Sequence, residues 1–155
     1  MMETQASVQP KSDNERALKS ALNILAYAEC TEQTLRQKLL DKGYPEESTE
    51  FAVDYMLKHR YLDEKRYLYR LVEYLGNVKL YGRRRIAMQV RLKGFASDTL
   101  AYHLEDALSR LDERENCKKA LPKVRKTDDK KTVDALMRRG FLYGDIKAAM
   151  TAEEE

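Results

Sequence analysis

The chain has 155 residues, of which 43% are hydrophobic and 35% charged, a size that suits one compact domain or a short array of smaller units. Only six glycines and three prolines are present, which excludes a turn-rich sheet protein and favours an all-α fold. The net charge is +3, but residues 1–75 carry 11 basic and 13 acidic side chains and residues 76–155 carry 18 and 13, so a basic surface is expected in the second half.

The first part of the chain is predicted to form a leader followed by three helices. Residues 1–13 are polar and lack periodicity, so we expect a flexible leader. The first helix has apolar residues three and four positions apart: Leu18, Ala21, Leu22, Leu25 and Ala28. Thr31 is predicted to cap the second helix, which ends at Gly43, and Pro45 to lie in the first turn of the third.

The middle of the chain continues the same pattern. Asp63 is predicted to cap the fourth helix, and Gly76 and Gly82 to bracket a short connection before the fifth. Either Ser97 or Asp98 is predicted to cap the sixth helix. Tyrosines at helical spacing, among them Tyr67 and Tyr102, are expected to lie in the core.

The last part of the chain is predicted to form three more helices, which makes nine in all, with no strand. The first of the three is a weaker segment around Cys117, which we expect Pro122 to break. The other two carry apolar residues at helical spacing: Val133, Leu136, Met137, Ile146, Ala149 and Met150. The most apolar stretch, residues 21–28, is too short to span a bilayer.

A local pattern occurs three times: a basic residue, a glycine and an aromatic residue at 42–44, 93–95 and 139–141. Glycine can adopt the left-handed conformation that ends a helix, and the cation complements the carboxyl end of the helix dipole. Three copies with matching apolar positions on both sides predict a repeat of about fifty residues. Three unrelated helix ends are the alternative.

The repeat predicts three tandem three-helix units that share apolar surface with their neighbours. The predicted divisions are a leader at 1–13, repeats at 14–60, 61–111 and 112–152, and an acidic tail at 153–155.

Residues 77–94 contain six basic side chains and no acidic one. Arg84 and Arg91 are seven positions apart and so share one helix face. Arginine presents a rigid fork that matches carboxylates and phosphates. This segment is therefore predicted to bind the DNA backbone or an acidic protein surface, unless it is only a solvated helix face. The candidate partner- or DNA-binding residues are Lys79, Tyr81, Arg83, Arg84, Arg85, Arg91 and Lys93.

No arrangement of residues in the sequence is typical of an enzyme, a metal site or a cofactor site. The chain has no phosphate-binding glycine loop, no paired-cysteine motif and no nucleophile motif. His59 and His103 are isolated, and surface, capping or packing roles are expected for them. Cys30 and Cys117 are expected to be unpaired thiols in a reducing cytoplasm, and no signal peptide is recognised.

The chain resembles the RecX family over residues 16–150. The similar segments are 31–44, which begins TEQTLRQKL, 61–67 (YLDEKRY), 82–86 (GRRRI) with 92–95 (LKGF), and 131–141 (KTVDALMRRGF).

The resemblance implies an elongated, curved array of three tandem three-helix repeats. It implies binding within the groove of the RecA–DNA filament, with inhibition of filament extension, ATP hydrolysis and strand exchange. From the sequence itself we expect a non-catalytic cytoplasmic monomer. Contact with the DNA backbone would be weaker or dependent on RecA, and no cofactor or membrane would be involved. The alternatives are a stand-alone DNA-binding protein with helix-turn-helix-like units and a helical scaffold for another protein.

Overall fold

A computed structural model describes residues 12–154 of the chain. Within this range the chain forms nine α-helices and one π-helical turn, Tyr74–Val78, and no β-strand, so the all-α prediction is confirmed. The predicted leader, apart from its last two residues, and the end of the acidic tail lie outside the described residues. The helices are α1 (Asp13–Tyr27), α2 (Glu32–Asp41), α3 (Glu46–Lys58), α4 (Glu64–Glu73), α5 (Arg83–Leu92), α6 (Ser97–Ser109), α7 (Glu113–Val124), α8 (Asp129–Arg138) and α9 (Tyr143–Glu154).

The chain divides into two compact units between Glu64 and Lys65. In the first unit α1 packs mainly against α3. The buried residues of α1 are the alanines Ala17 and Ala21, whose small side chains let the two helices approach closely. Leu22, which was predicted on the buried face, is exposed. The first core cluster contains Ala17, Ala21, Cys30, Leu35, Leu39, Ala52, Val53, Met56 and Leu62.

The start of α2 is capped from two directions. The side chain of Thr31 accepts a hydrogen bond from the Thr34 amide at 3.2 Å, which confirms the predicted cap. The buried carboxylate of Glu64 accepts a second bond from the Glu32 amide at 2.9 Å. A carboxylate is favourable there because the amino end of a helix carries a partial positive charge.

The second unit contains two further core clusters, and each gathers side chains from three successive helices. The second cluster, from α4 to α6, contains Leu68, Val72, Leu75, Ile86, Val90, Phe95, Leu104, Ala107 and Leu108. The third cluster, from α7 to α9, contains Leu80, Cys117, Ala120, Leu121, Leu136, Phe141, Ile146 and Ala149. Leu80 precedes α5 in the chain and yet is buried in the third cluster.

The three glycines of the repeated pattern all have the expected left-handed conformation, with φ of +93° at Gly43, +84° at Gly94 and +97° at Gly140. The predicted mechanism for ending these helices is therefore confirmed. The exact repeat boundaries at 60 and 111 stay predictions.

The predictions for Gly76, for the cap of the sixth helix and for Pro122 are wrong. Gly76 lies within the π-helical turn, where a Cβ would come within 2.6 Å of Leu111, so it makes room for that side chain. The sixth helix begins after Ala96, which makes no side-chain cap bond, and Ser97 is already its first helical residue. Pro122 lies inside α7 and does not break it, because it is in the last turn and removes only one backbone bond.

The two tyrosines that were expected in the core differ in their exposure. Tyr102 is 78% exposed and is not a core residue, whereas Tyr67 packs against the second cluster.

Cys30 and Cys117 are free thiols, as expected, and both are buried. Burial raises the pKa of both, to about 12 for Cys117.

Among the described residues, no helix combines the length and the apolar character needed to cross a membrane.

The contrast between Thr31 and Ser97 gives a test of the capping. Thr31→Ala should lower the free energy of unfolding by about 0.5–2 kcal/mol, because the first turn of α2 loses its side-chain acceptor. Ser97→Ala should change it by less than about 0.5 kcal/mol, because Ser97 caps nothing. Urea unfolding followed by circular dichroism measures both, and equal losses would contradict the assignment.

Candidate partner-binding surface

The basic segment begins in an irregular stretch that connects α4 to α5. The π-helical turn is closed by a hydrogen bond from the Lys79 amide to the Tyr74 carbonyl, at 3.0 Å. Leu80 then has φ of +56°, a left-handed value that is unfavourable for a branched side chain. Surrounding contacts must hold such a conformation in place.

The backbone around Gly82 crosses the turn between α8 and α9. The Gly82 amide donates to the Arg139 carbonyl at 2.8 Å, and the Arg84 amide donates to the Gly140 carbonyl at 3.2 Å. A Cβ on Gly82 would lie 2.2 Å from the Phe141 nitrogen, and one on Gly140 would lie 2.4 Å from the Arg85 nitrogen. Glycine is therefore required at both positions for the two backbones to meet. We call this contact the glycine crossing.

Arg139 holds the strained stretch from the other side. Its guanidinium donates to the Leu80 carbonyl at 3.0 Å and also to the Lys79 carbonyl. The same group lies 5.4 Å from the centre of the Tyr81 ring. These bonds satisfy two carbonyls that no helix uses and help keep Leu80 in its left-handed conformation.

Two of the three consecutive arginines are engaged within the protein. Arg83 forms ion pairs with Glu105, at 2.7 Å, and with Glu113, at 4.0 Å. Burial raises the pKa of the Glu113 carboxyl, and the positive charge of Arg83 opposes that shift. The Arg85 guanidinium stacks on the ring of Tyr81 at 4.1 Å. Tyr81 is thus half-buried between two guanidinium groups.

Arg84 and Arg91 are the side chains of this segment best placed to meet a partner. Both are exposed on α5, and neither forms an ion pair with any residue from 12 to 154. Lys93 is exposed at the carboxyl end of α5. The Lys79 ammonium lies 5.9 Å from the Tyr74 ring. The structure therefore brings the candidate residues to one helix and its flanks, but only some of them point to solvent unpaired.

Two exposed apolar residues on the same helix were not among the candidates. Met88 is 56% exposed and Leu92 is 80% exposed. Counting positions from the buried Ile86 and Val90 would have placed Met88 on the opposite side of the helix. The role of Arg139 has no such signal, because its acceptors are backbone carbonyls 59 and 60 residues away.

The side chains of this surface are suited to ion pairs and hydrogen bonds. No group of three or more His, Cys, Asp or Glu side chains suited to a metal ion occurs in the part of the chain that the structure describes. The exposed guanidinium groups can form paired hydrogen bonds with carboxylates or phosphates.

Known proteins resemble this chain over most of its length. The family model described as "RecX, first three-helix domain" matches residues 17–56. Regulatory protein RecX of Vibrio vulnificus is 32% identical over 144 residues, which cover 86% of this chain and 90% of that protein. Regulatory protein RecX of Clostridium botulinum is 32% identical over 130 residues, or 76% of this chain and 58% of the longer relative.

A solved structure has the same fold. The crystal structure of RecX from Lactobacillus salivarius matches with a TM-score of 0.76 at 20% sequence identity, over 90% of this chain and 96% of that one.

The glycine crossing can be tested against a second glycine. Gly82→Ala should lower the free energy of unfolding by about 1–3 kcal/mol, because the new methyl group would clash with the backbone at Gly140 and Phe141. Gly144→Ala should leave stability unchanged or raise it by up to about 1 kcal/mol, since Gly144 lies in α9 with open space around it. Urea unfolding measures both, and an equal response would rule out the close contact.

Proposed function

The chain belongs to the RecX family, and from this premise we propose that it binds the RecA–DNA filament and inhibits filament extension, ATP hydrolysis and strand exchange. Its relatives are named as regulatory proteins and not as enzymes. This chain spans about 58% of the length of the Clostridium botulinum relative, so the activity of the whole protein is part of the proposal.

The observation that carries the proposal, beside family membership, is the exposed cationic face of α5. Arg84 and Arg91 lie on it with no ion pair to any described residue. A nucleoprotein filament offers anionic partners in both its DNA phosphates and its protein carboxylates. Arginines held on a rigid helix can pair with such groups without first breaking internal salt bridges.

The mechanism is steric and electrostatic. Binding energy from the cationic face holds the protein on the filament, where its bulk occludes the bound DNA or the growing end. No bond is made or broken in this mechanism, so inhibition should depend on occupancy alone and reverse on dissociation.

The test is the DNA-dependent ATP hydrolysis of RecA on single-stranded DNA, titrated with this protein. Wild type should inhibit at less than one molecule per RecA. The variant Arg84→Ala/Arg91→Ala should need at least about tenfold more protein, because two charge-assisted contacts are lost. The matched control is Lys118→Ala/Lys119→Ala, which removes the same charge from exposed positions on α7 and should behave like wild type.

Unchanged hydrolysis at saturating wild-type protein would contradict the proposal. Direct binding to DNA without RecA, weakening steeply with salt, would then favour a stand-alone DNA-binding protein. The absence of binding to both RecA and DNA would favour a scaffold for another protein.

A further inference from the structure

The outward face of α5 is partly apolar. Helix positions advance by about 100° per residue, which places Met88 almost opposite the buried Ile86 and Val90. Leu92 lies one turn further along on the same side, and both side chains are more than half exposed. A helix face selected only for solvation would carry polar side chains at these most exposed positions.

The two exposed arginines line one edge of this apolar strip. Arg84 and Arg91 are two turns apart and lie beside Met88 around the helix. We call these four residues, Arg84, Met88, Arg91 and Leu92, the α5 face. Its composition resembles the buried centre of a protein interface, where methionine and arginine are enriched and lysine is depleted.

We propose that the α5 face docks an acidic amphipathic helix of a protein partner, whose apolar side chains cover Met88 and Leu92 while its carboxylates pair with Arg84 and Arg91. The inference rests on the proposed function, which is that the chain binds the filament. The protein component of the filament would supply this helix. Charge complementarity specifies the occupant, since residues 77–94 contain no acidic side chain. The α5 face would bind as one partner of a helix pair.

The spacing of the arginines constrains the partner. Seven residues of helix place Arg84 and Arg91 about 10.5 Å apart along the axis. A partner helix that lies roughly along α5 would therefore present two carboxylates about seven positions apart, with apolar residues beside them. A partner with the same charge but no apolar stripe would leave Met88 and Leu92 in water and bind more weakly.

A DNA backbone is a poorer match for this face. Arg83 is paired with carboxylates and Arg85 is stacked on Tyr81, so neither is available without breaking internal contacts. Arg84 and Arg91 together could neutralise about two phosphates, which limits the log–log salt dependence of binding to a slope of about −1.8. Met88 and Leu92 would gain nothing from phosphate oxygens.

The experiment measures binding to RecA filaments assembled on single-stranded DNA with a slowly hydrolysed ATP analogue, and to the same DNA without RecA. The variant Met88→Gln/Leu92→Gln removes the apolar strip and keeps the charges and a good helix former at each site. It should bind filaments at least about tenfold more weakly than wild type and bind bare DNA equally well. Arg84→Ala/Arg91→Ala should also lose filament binding.

The control variant is Tyr27→Gln/Tyr102→Gln, which removes two apolar side chains of comparable exposure outside α5 and should bind filaments like wild type. Circular dichroism checks that every variant is folded.

The outcomes separate this inference from the proposed function. Filament binding that is unchanged by Met88→Gln/Leu92→Gln would overturn the docking inference and leave the proposed function standing. The inference would also fail if only the arginine variant lost binding, equally on filaments and bare DNA, because the face would then bind phosphates. Absence of wild-type binding to filaments would contradict the proposed function itself.

Discussion

The glycine crossing determines where α5 begins and how it is rotated about its axis. Two backbone hydrogen bonds and the absence of side chains at Gly82 and Gly140 hold the first turn of α5 against the turn between α8 and α9. Because a helix is rigid over ten residues, a fixed first turn fixes the direction of every later side chain. The orientation of the exposed face of α5 therefore depends on the turn between α8 and α9 as well as on the residues of α5 itself.

The cations of this protein fall into two groups, those that stabilise the fold and those that stay exposed. Some cations hold the fold: Arg139 binds carbonyls beside Leu80, Arg85 covers an aromatic ring, and Arg83 opposes the cost of burying Glu113. Others, such as Arg84 and Arg91, remain exposed. The two kinds are adjacent in the sequence, so the number of positive charges overstates how many can meet a partner. The glycine crossing sets the orientation of α5, and this orientation decides which arginines contact the rest of the protein and which face solvent.

Local physics made most of the fold predictable. Apolar spacing located the helices, the hydroxyl of Thr31 and the glycines of the repeated pattern marked helix ends, and these predictions are confirmed. The errors at Gly76 and Pro122 arose because packing against Leu111 and position in a last turn outweighed the usual preference of each residue. The site was predicted only in part, since the acceptors of Arg139 are 59 and 60 residues away and no local pattern announces them.

The two buried cysteines can report the opening of the core through their reaction with thiol reagents. Cys30 lies in the first core cluster and Cys117 in the third, and both are buried with a raised pKa. Thiol reagents attack the exposed thiolate, so neither side chain can react until its own cluster opens. The rate of labelling at each position therefore records the local opening of one cluster independently of the other. A third cysteine placed on the surface could carry a fluorophore selectively without removal of the native pair.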